Sequence, residues 1–224
     1  MSTRIANIIC LIGIVAFGAY VAWMYPGLPD PMPTHWNAAG EVDDYSSKQF
    51  GAAIIGLVPV FSFAIFKLIP VISPRGYRTE SFSGVLNILM TATVVFSCII
   101  GVGVILAARD PGVNISSFVF VAVGLLFMII GNFLGKVRKN FFLGIRTPWT
   151  LASDEVWAKT HRLGGWCFVI AGVIMALMGV AMPSSSIGWV VGVVIAIAFI
   201  PVVYSYFAYR KIEGFAPDPD IDEE

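Results

Sequence analysis

Long apolar stretches alternate with short polar connections along this chain, and this pattern predicts its fold. A helix that crosses a hydrocarbon layer about 30 Å thick needs about 20 apolar residues, because each residue advances the helix by about 1.5 Å. Six stretches meet that length, at 5–25, 51–72, 85–108, 118–135, 164–182 and 188–209. The pattern therefore predicts an all-α polytopic membrane protein with six transmembrane helices.

Two of the predicted spans contain an interior proline, Pro59 and Pro201. Each proline leaves one helix carbonyl without its usual N–H partner, so a kink is expected at both positions. A pair of hinges around a cavity is one interpretation, and ordinary kinks are the other. Proline is common in membrane helices, which favours ordinary kinks.

The composition agrees with a membrane protein and excludes several other classes. Of the 224 residues, 58% are hydrophobic and only 12% are charged, against about 25% charged residues in a soluble domain. Fourteen Lys and Arg balance fourteen Asp and Glu, so the basic surplus typical of direct nucleic-acid binding is absent. The three cysteines lie inside apolar runs and are interpreted as small hydrophobic residues: Cys10, Cys98 and Cys167.

Positive charges predict the orientation. With the N-terminus in the cytoplasm, only Lys48 and Arg109 of the fourteen Lys and Arg lie outside, as the positive-inside rule favours. We therefore expect a multi-pass plasma (inner) membrane protein with cytoplasmic N- and C-termini, and a retained first span because no clear cleavage pattern follows it. The predicted units are 1–84 (two spans and an outer proline-rich loop), 85–212 (four spans with a basic segment at 136–163) and 213–224 (an acidic disordered tail).

The sequence offers little material for catalysis. Its two histidines, His35 and His161, lie in different connections, so a monomer cannot bring both to one metal ion. No predicted span contains Asp, Glu or His, which leaves neither a carboxylate dyad nor a proton relay. We therefore expect no catalytic residues, no metal and no cofactor, and a protein that is not an enzyme.

The predicted outer loop is stiff and carries its own candidate site. Four prolines between positions 26 and 33 favour extended backbone, and Gly40 permits a turn with positive φ. His35 with Asp43 and Asp44 forms either a cation site or a histidine hydrogen-bonded within a folded loop. The spacing matches no familiar cation site, which favours the hydrogen-bonded histidine.

The basic segment 136–163 has six basic and two acidic residues, a net charge of +4, which attracts it to an anionic membrane surface. Thr147 as N-cap and Pro148 in the first turn predict an interfacial amphipathic helix that leads into the fifth span. Asp154 and Glu155 offer a second helix start nearby.

The residues before that helix allow two interpretations. Phe141, Phe142 and Ile145 form a lipid-inserted anchor in one of them. In the other, Arg146 grips a carboxylate or phosphate through its fork of N–H donors. The sequence leaves both open.

Two stretches resemble a known family. The run GKVRKNFFLGIRTPWTLASDEVWAKTHR at 135–162 closely resembles the signature of the SdpI family of bacterial membrane proteins. The stretch PTHWNAAGEVDDYSSK at 33–48 resembles the small N-terminal domain that accompanies this signature in many members. The resemblance implies signature positions in the basic segment, at Lys136, Arg138, Asn140, Gly144, Arg146, Thr147, Pro148, Trp149, Trp157 and His161. It also implies outer-loop positions, at Pro33, His35, Trp36, Asn37, Gly40 and Asp43.

The resemblance implies a membrane immunity and signal-receptor protein without enzymatic activity. The best-known member of the family confers immunity to a secreted killing peptide and holds a transcriptional repressor at the membrane. By similarity, we expect this chain to sense or neutralise a peptide toxin at the outer face and to recruit a cytosolic repressor or acidic partner to the basic segment. Its other expected partner is the lipid bilayer. The alternative is a small transporter or lipid-handling protein with a groove near Pro59 and Pro201.

Overall fold

The computed structural model describes residues 1–37, 40–74, 79–181 and 187–215. In these residues, six helices are long and apolar enough to cross a membrane, which confirms the predicted class. The helices are α1 (Thr3–Met24), α2 (Lys48–Ile72), α3 (Ser83–Arg109), α4 (Ile115–Leu134), the short α5 (Pro148–Ala152), α6 (Asp154–Ala181) and α7 (Ile187–Ile212). Arg75, Arg78 and positions 216–224 of the predicted tail lie outside the described residues.

Side-chain caps fix where several helices begin. The hydroxyl of Ser2 accepts a hydrogen bond from the N–H of Ile5 at the start of α1, and Ser47 caps α2 in the same way. Asn114 caps α4 through the N–H of Ser117. These caps satisfy N–H groups that have no partner within the helix, and they place α2 and α4 a few residues earlier than hydropathy alone predicts.

The outer loop contains regular structure that the sequence analysis did not predict. Strands β1 (Met32–Trp36) and β2 (Val42–Ser46) pair as an antiparallel hairpin between α1 and α2. Pro33 lies in β1 opposite Tyr45, and a two-stranded sheet tolerates it because each strand has one free edge. We call this end of the molecule the hairpin end, and the opposite end, where the basic segment lies, the basic end.

The interior prolines do not line an open groove. Pro59 lies inside α2 and Pro201 inside α7, and both helices continue through them. Both prolines are fully buried. The two prolines therefore do not themselves form the groove that the transporter hypothesis expects near them.

Glycines bring α4 and α6 into backbone contact along most of their length. A Cβ atom added at Gly124 would lie 2.5 Å from the carbonyl oxygen of Gly172, and one at Gly131 would lie 2.6 Å from that of Gly165. A third layer places Gly179 against the carbonyl oxygen of Ser117, at 3.0 Å from the same hypothetical atom. The layers repeat at heptad spacing on two antiparallel helices, and small residues of this kind let membrane helices approach closely. We call this contact the glycine seam.

Residues at the hairpin end join the hairpin to the helices. Met32 is fully buried, and it packs in a cluster with Phe17 and Met24 of α1, Ala52 of α2 and Ile105 of α3. Gly51 leaves room for this side chain, since a Cβ there would lie 3.1 Å from the Met32 sulfur. The hairpin is therefore packed onto three helices.

The helix predicted to start at Thr147 is broken at Ser153, so the single amphipathic helix was wrong in its extent. Thr147 caps only the five-residue α5, and a second helix begins at Asp154 and continues as α6 to Ala181. Both helix starts proposed from the sequence are used. As a consequence, His161 lies inside α6 rather than in the connection before the fifth span.

Candidate functional site

His35 and Asp43 face each other across the hairpin. The Nδ1 atom of His35 lies 2.5 Å from Oδ1 of Asp43, so this histidine is hydrogen-bonded within a folded loop, as the favoured interpretation expects. Asp44 is turned to the backbone, where it accepts from the N–H of Tyr45. Among the described residues, no group of three His, Cys, Asp or Glu side chains is placed to hold a metal ion.

Asn37 and Gly40 shape the end of the hairpin. The side chain of Asn37 accepts from the N–H of Glu41 at 3.0 Å and donates to its carboxylate at 3.1 Å. Gly40 has a φ of 81°, a value that only glycine adopts without strain, as the sequence predicts. The structure therefore gives these two positions a role in turn geometry.

A cavity of about 320 Å³ lies under the first strand of the hairpin. The residues from Thr34 to Asn37 form one wall, and Val104 of α3 with Phe120 of α4 lies opposite. The wall includes three predicted outer positions, His35, Trp36 and Asn37. We call it the hairpin cavity, because it joins the hairpin to the first helical turns of α4.

In the basic segment, Asn140 organises the chain from Arg138 to Leu143. Its amide nitrogen donates to the carbonyls of Arg138 and Leu143, at 2.9 and 3.0 Å. Its amide oxygen accepts from the N–H groups of Phe142 and Leu143, at 2.8 and 2.7 Å. The side chain is fully buried, so one amide satisfies four backbone groups that have no helix or sheet to pair with.

His161 holds the next part of the segment. Its Nε2 accepts a hydrogen bond from the N–H of Ile145 at 3.0 Å, and its Nδ1 lies 2.8 Å from the carbonyl oxygen of Trp157. These partners assign the proton to Nδ1 and leave His161 neutral. The ring is fully buried and stacks on Trp157, with centroids 4.0 Å apart.

The contact between His161 and the loop requires glycine at position 144. Its φ is +110°, and a Cβ atom there would lie 2.2 Å from Nε2 of His161. Trp157, which packs beside it, donates from its indole nitrogen to the carbonyl of Val137 at 2.8 Å. The loop from 137 to 145 is therefore fastened to α6 at both of its ends.

Thr147 connects the basic segment to the last helix. Its hydroxyl lies 3.0 Å from the hydroxyl of Ser205 in α7, and both side chains are buried. Thr150 completes the N-cap by accepting from the N–H of Thr147 and donating to the carbonyl of Ile145 at 2.8 Å. Trp149 packs edge-on against Tyr206, with ring centroids 5.1 Å apart.

Of the three residues in the lipid-anchor interpretation, two are partly buried against the protein. Phe142 packs in a cluster with Trp157 and the ends of α2 and α3. Ile145 fits against Gly164, where an added Cβ would lie 2.4 Å from its Cδ1. Phe141 alone is exposed, with 49% of its surface accessible.

The cations of the segment divide into paired and exposed groups. Lys139 forms an ion pair with Asp154 at 2.6 Å, and Lys159 forms one with Glu155 at 2.7 Å. Lys136, Arg138 and Arg146 are exposed, as is Pro148. Arg146 uses one guanidinium nitrogen to donate to the carbonyl of Phe141.

The structure therefore separates the signature positions by role. Those that build the loop are Asn140, Gly144, Thr147, Trp149, Trp157 and His161, and those presented at the surface are Lys136, Arg138, Arg146 and Pro148. Three residues that complete the same network were not predicted from the sequence: Thr150, Ser205 and Gly164. The T-P-x-T spacing at Thr147 signals a capping pair, whereas no local pattern signals a contact between Thr147 and Ser205.

Comparisons with known proteins find matches in the basic segment and in the region of the hairpin. The model of the SdpI/YfhL protein family matches residues 136–205, and that of DUF1648, a domain of unknown function, matches residues 9–58. Immunity protein SdpI of Bacillus subtilis (strain 168) is 25% identical over 191 residues, which cover 85% of this chain and 89% of that protein. No solved structure matches the chain. The basic segment and the helices that follow it are therefore similar to the SdpI/YfhL protein family, and the hairpin lies within the stretch that is similar to DUF1648.

Proposed function

We propose that this chain is a plasma-membrane immunity and signal-receptor protein that binds a secreted peptide at the hairpin end. The observation that carries the proposal is the hairpin cavity, which lies beside the predicted outer positions His35, Trp36 and Asn37. The Bacillus subtilis relative, an immunity protein, supports the same function. The positive-inside rule supports an outward-facing hairpin end, with both termini in the cytoplasm.

The cavity has the size and lining of a subsite for part of a peptide. Its volume of about 320 Å³ is at the lower limit of ligand pockets, which span about 300–1,000 Å³. Val119 and Phe120 supply apolar surface from α4, while Ser116 and Asn37 supply polar atoms. An apolar side chain of a larger ligand fits such a space, with its backbone outside against the hairpin.

The basic end suits recruitment of an acidic cytosolic regulator. Arg138 and Arg146 are exposed on a loop that Asn140 and His161 hold in one conformation. Two guanidinium groups on a loop of fixed backbone favour carboxylate recognition, because little loop entropy is lost on binding. This function requires binding and no bond-breaking chemistry, and we propose that the chain is not an enzyme.

A challenge experiment tests peptide binding. Cells sensitive to secreted peptides express the wild type, a cavity-filled variant (Ser116→Trp) or a matched hairpin variant outside the cavity (Tyr45→Ala), at equal membrane levels. We expect the wild type and Tyr45→Ala to protect, and Ser116→Trp to lose protection and peptide binding in purified form. Equal protection by the wild type and both variants, or no peptide bound by the purified wild type, would contradict the proposal.

A co-fractionation experiment tests recruitment. Charge reversal of Arg138 and Arg146 to Glu is expected to release the cytosolic partner from membranes, because it replaces attraction to an acidic surface by repulsion. Arg4→Glu is the matched control, since Arg4 is also exposed at the basic end. A partner that stays with the membrane in the double variant, or that is released equally by Arg4→Glu, rules out this surface.

A lipid-handling function is the second candidate, and a different observation favours it. An apolar groove of about 730 Å³ lies between α3 and α4, lined by Phe96, Ile99 and Leu125 among others. Such a groove accommodates acyl chains. Lipid flux in proteoliposomes that Leu125→Trp abolishes, and that Ser116→Trp does not alter, would favour this function over peptide binding.

A further inference from the structure

We infer that a groove between α4 and α6 at the basic end binds the headgroup of an anionic phospholipid. The groove has a volume of about 330 Å³, and Lys136 at the end of α4 and Arg162 of α6 both line it. We call it the headgroup groove. It is separate from the hairpin cavity and from the exposed pair Arg138 and Arg146, and the proposal does not depend on the function proposed above.

The groove exists because glycines remove side chains from both helices. Gly131 and Gly165 belong to the glycine seam and hold the two backbones together at the base of the groove. Gly135 lies one turn beyond Gly131, and a Cβ atom there would lie 3.6 Å from Cα of Arg162, an ordinary contact distance. The space above Gly135 is therefore open, and a side chain at this position fills it without a backbone clash.

Its charges are positive and are not neutralised by the neighbouring acids. Asp154 and Glu155 pair with Lys139 and Lys159, outside the groove. Arg162 makes no hydrogen bond or ion pair with the residues that the structure describes. The Lys136 Nζ lies 4.9 Å from the centroid of the Phe133 ring and forms no ion pair with an acidic residue in the described part of the chain. Arg162 thus offers a fork of N–H donors that matches a phosphate, beside a second cation.

The order of polarity along the groove matches that of a phospholipid. On α6, Arg162 is followed one turn later by Trp166, which is 66% exposed, and then by Val169. An exposed tryptophan is typical of the headgroup level of a membrane, with apolar residues below it. A phosphate at Arg162 therefore places the glycerol beside Trp166 and an acyl chain toward Val169. Basic pockets between helices on the cytoplasmic side are a recognised mode of anionic lipid binding.

Native mass spectrometry of the full-length protein, exchanged with vesicles of phosphatidylglycerol or phosphatidylcholine, tests the site. The variant pair Lys136→Gln with Arg162→Gln is expected to weaken phosphatidylglycerol binding about 30-fold, from the usual contribution of two basic residues. The control pair Arg138→Gln with Arg146→Gln removes the same charge and should leave binding within about twofold, since neither residue lines the groove and attraction between more distant exposed charges is screened by salt.

A second variant tests whether lipid binding needs the open space of the groove as well as its two cations. Gly135→Leu keeps both cations and fills the space, so it should also lose phosphatidylglycerol while its melting temperature stays close to that of the wild type. Inorganic phosphate alone, added in detergent, should not displace the lipid. Three results would overturn the inference: equal loss in both charge pairs, full binding by Gly135→Leu, or phosphatidylcholine bound as tightly as phosphatidylglycerol. Displacement by inorganic phosphate would instead identify a free-anion site.

Discussion

Replacing Gly144 by alanine tests the part of the basic segment that the structure explains most fully. The residue has a φ of +110°, and its missing Cβ would lie 2.2 Å from Nε2 of His161. The substitution strains the backbone by about 1–3 kcal/mol, as sparsely populated conformations generally do. It also displaces the imidazole from the N–H of Ile145, which costs about 1–3 kcal/mol for an unsatisfied group. We expect the free energy of unfolding to fall by about 2–6 kcal/mol in total.

Reversible unfolding of the purified protein in mixed detergent micelles measures this change. The matched control is Gly56→Ala in α2, where an added Cβ meets nothing within 4 Å and helix propensity favours alanine by up to about 1 kcal/mol. Gly144→Ala combined with His161→Ala should cost less than the two single substitutions together, because both disrupt the bond to Ile145. A Gly144→Ala protein that unfolds like the wild type, or strictly additive costs, would refute the reasoning.

Three further substitutions probe the rest of the fold. Asn140→Ala removes a side chain that satisfies four buried backbone groups, and we expect a loss of about 3 kcal/mol in the same unfolding assay. Met32→Ala leaves a cavity beneath the hairpin, costs about 2–5 kcal/mol, and should raise hydrogen exchange in β1 and β2 while leaving α6 protected. Gly124→Val places a side chain against the Gly172 carbonyl, so folded yield should fall well below that of Gly56→Ala, as gel filtration would show.

The six helices were predictable because a membrane leaves a chain few options. An apolar stretch of about 20 residues must satisfy its backbone internally, so hydropathy alone identifies a helix. The hairpin was not predicted, because the prolines indicated extended backbone without strand pairing, and the packing of Met32 against three helices is not visible in the sequence. To predict the glycine seam, one must know which glycines of α4 and α6 face each other. The heptad spacing of Gly124 and Gly131 alone is visible in the sequence.

In the basic segment, too, the sequence did not predict the roles of single residues. The side chain of Asn140 forms hydrogen bonds with residues within three positions of itself. Many loop conformations allow an asparagine to do so, and the sequence does not indicate which of them forms. The partners of Thr147 and His161 lie 58 and 16 positions away. Residue types and charge therefore identified the segment, while only the fold separates the residues that build it from Arg138 and Arg146, which it presents.

The glycine seam also determines which motion can link the two ends of the molecule. Because α4 and α6 touch through their backbones in several layers, they are expected to move as one unit, whereas side chains, most of them apolar, line the groove between α3 and α4. A peptide in the hairpin cavity contacts both α3 and α4, so under the proposed function it should shift α3 against this unit. Spin labels at the lipid-exposed positions Val95, Leu125 and Val173, on a background without native cysteines, measure this. Peptide should change the distance from 95 to 125 and leave that from 125 to 173 unchanged, whereas a change confined to the second distance would exclude a rigid seam.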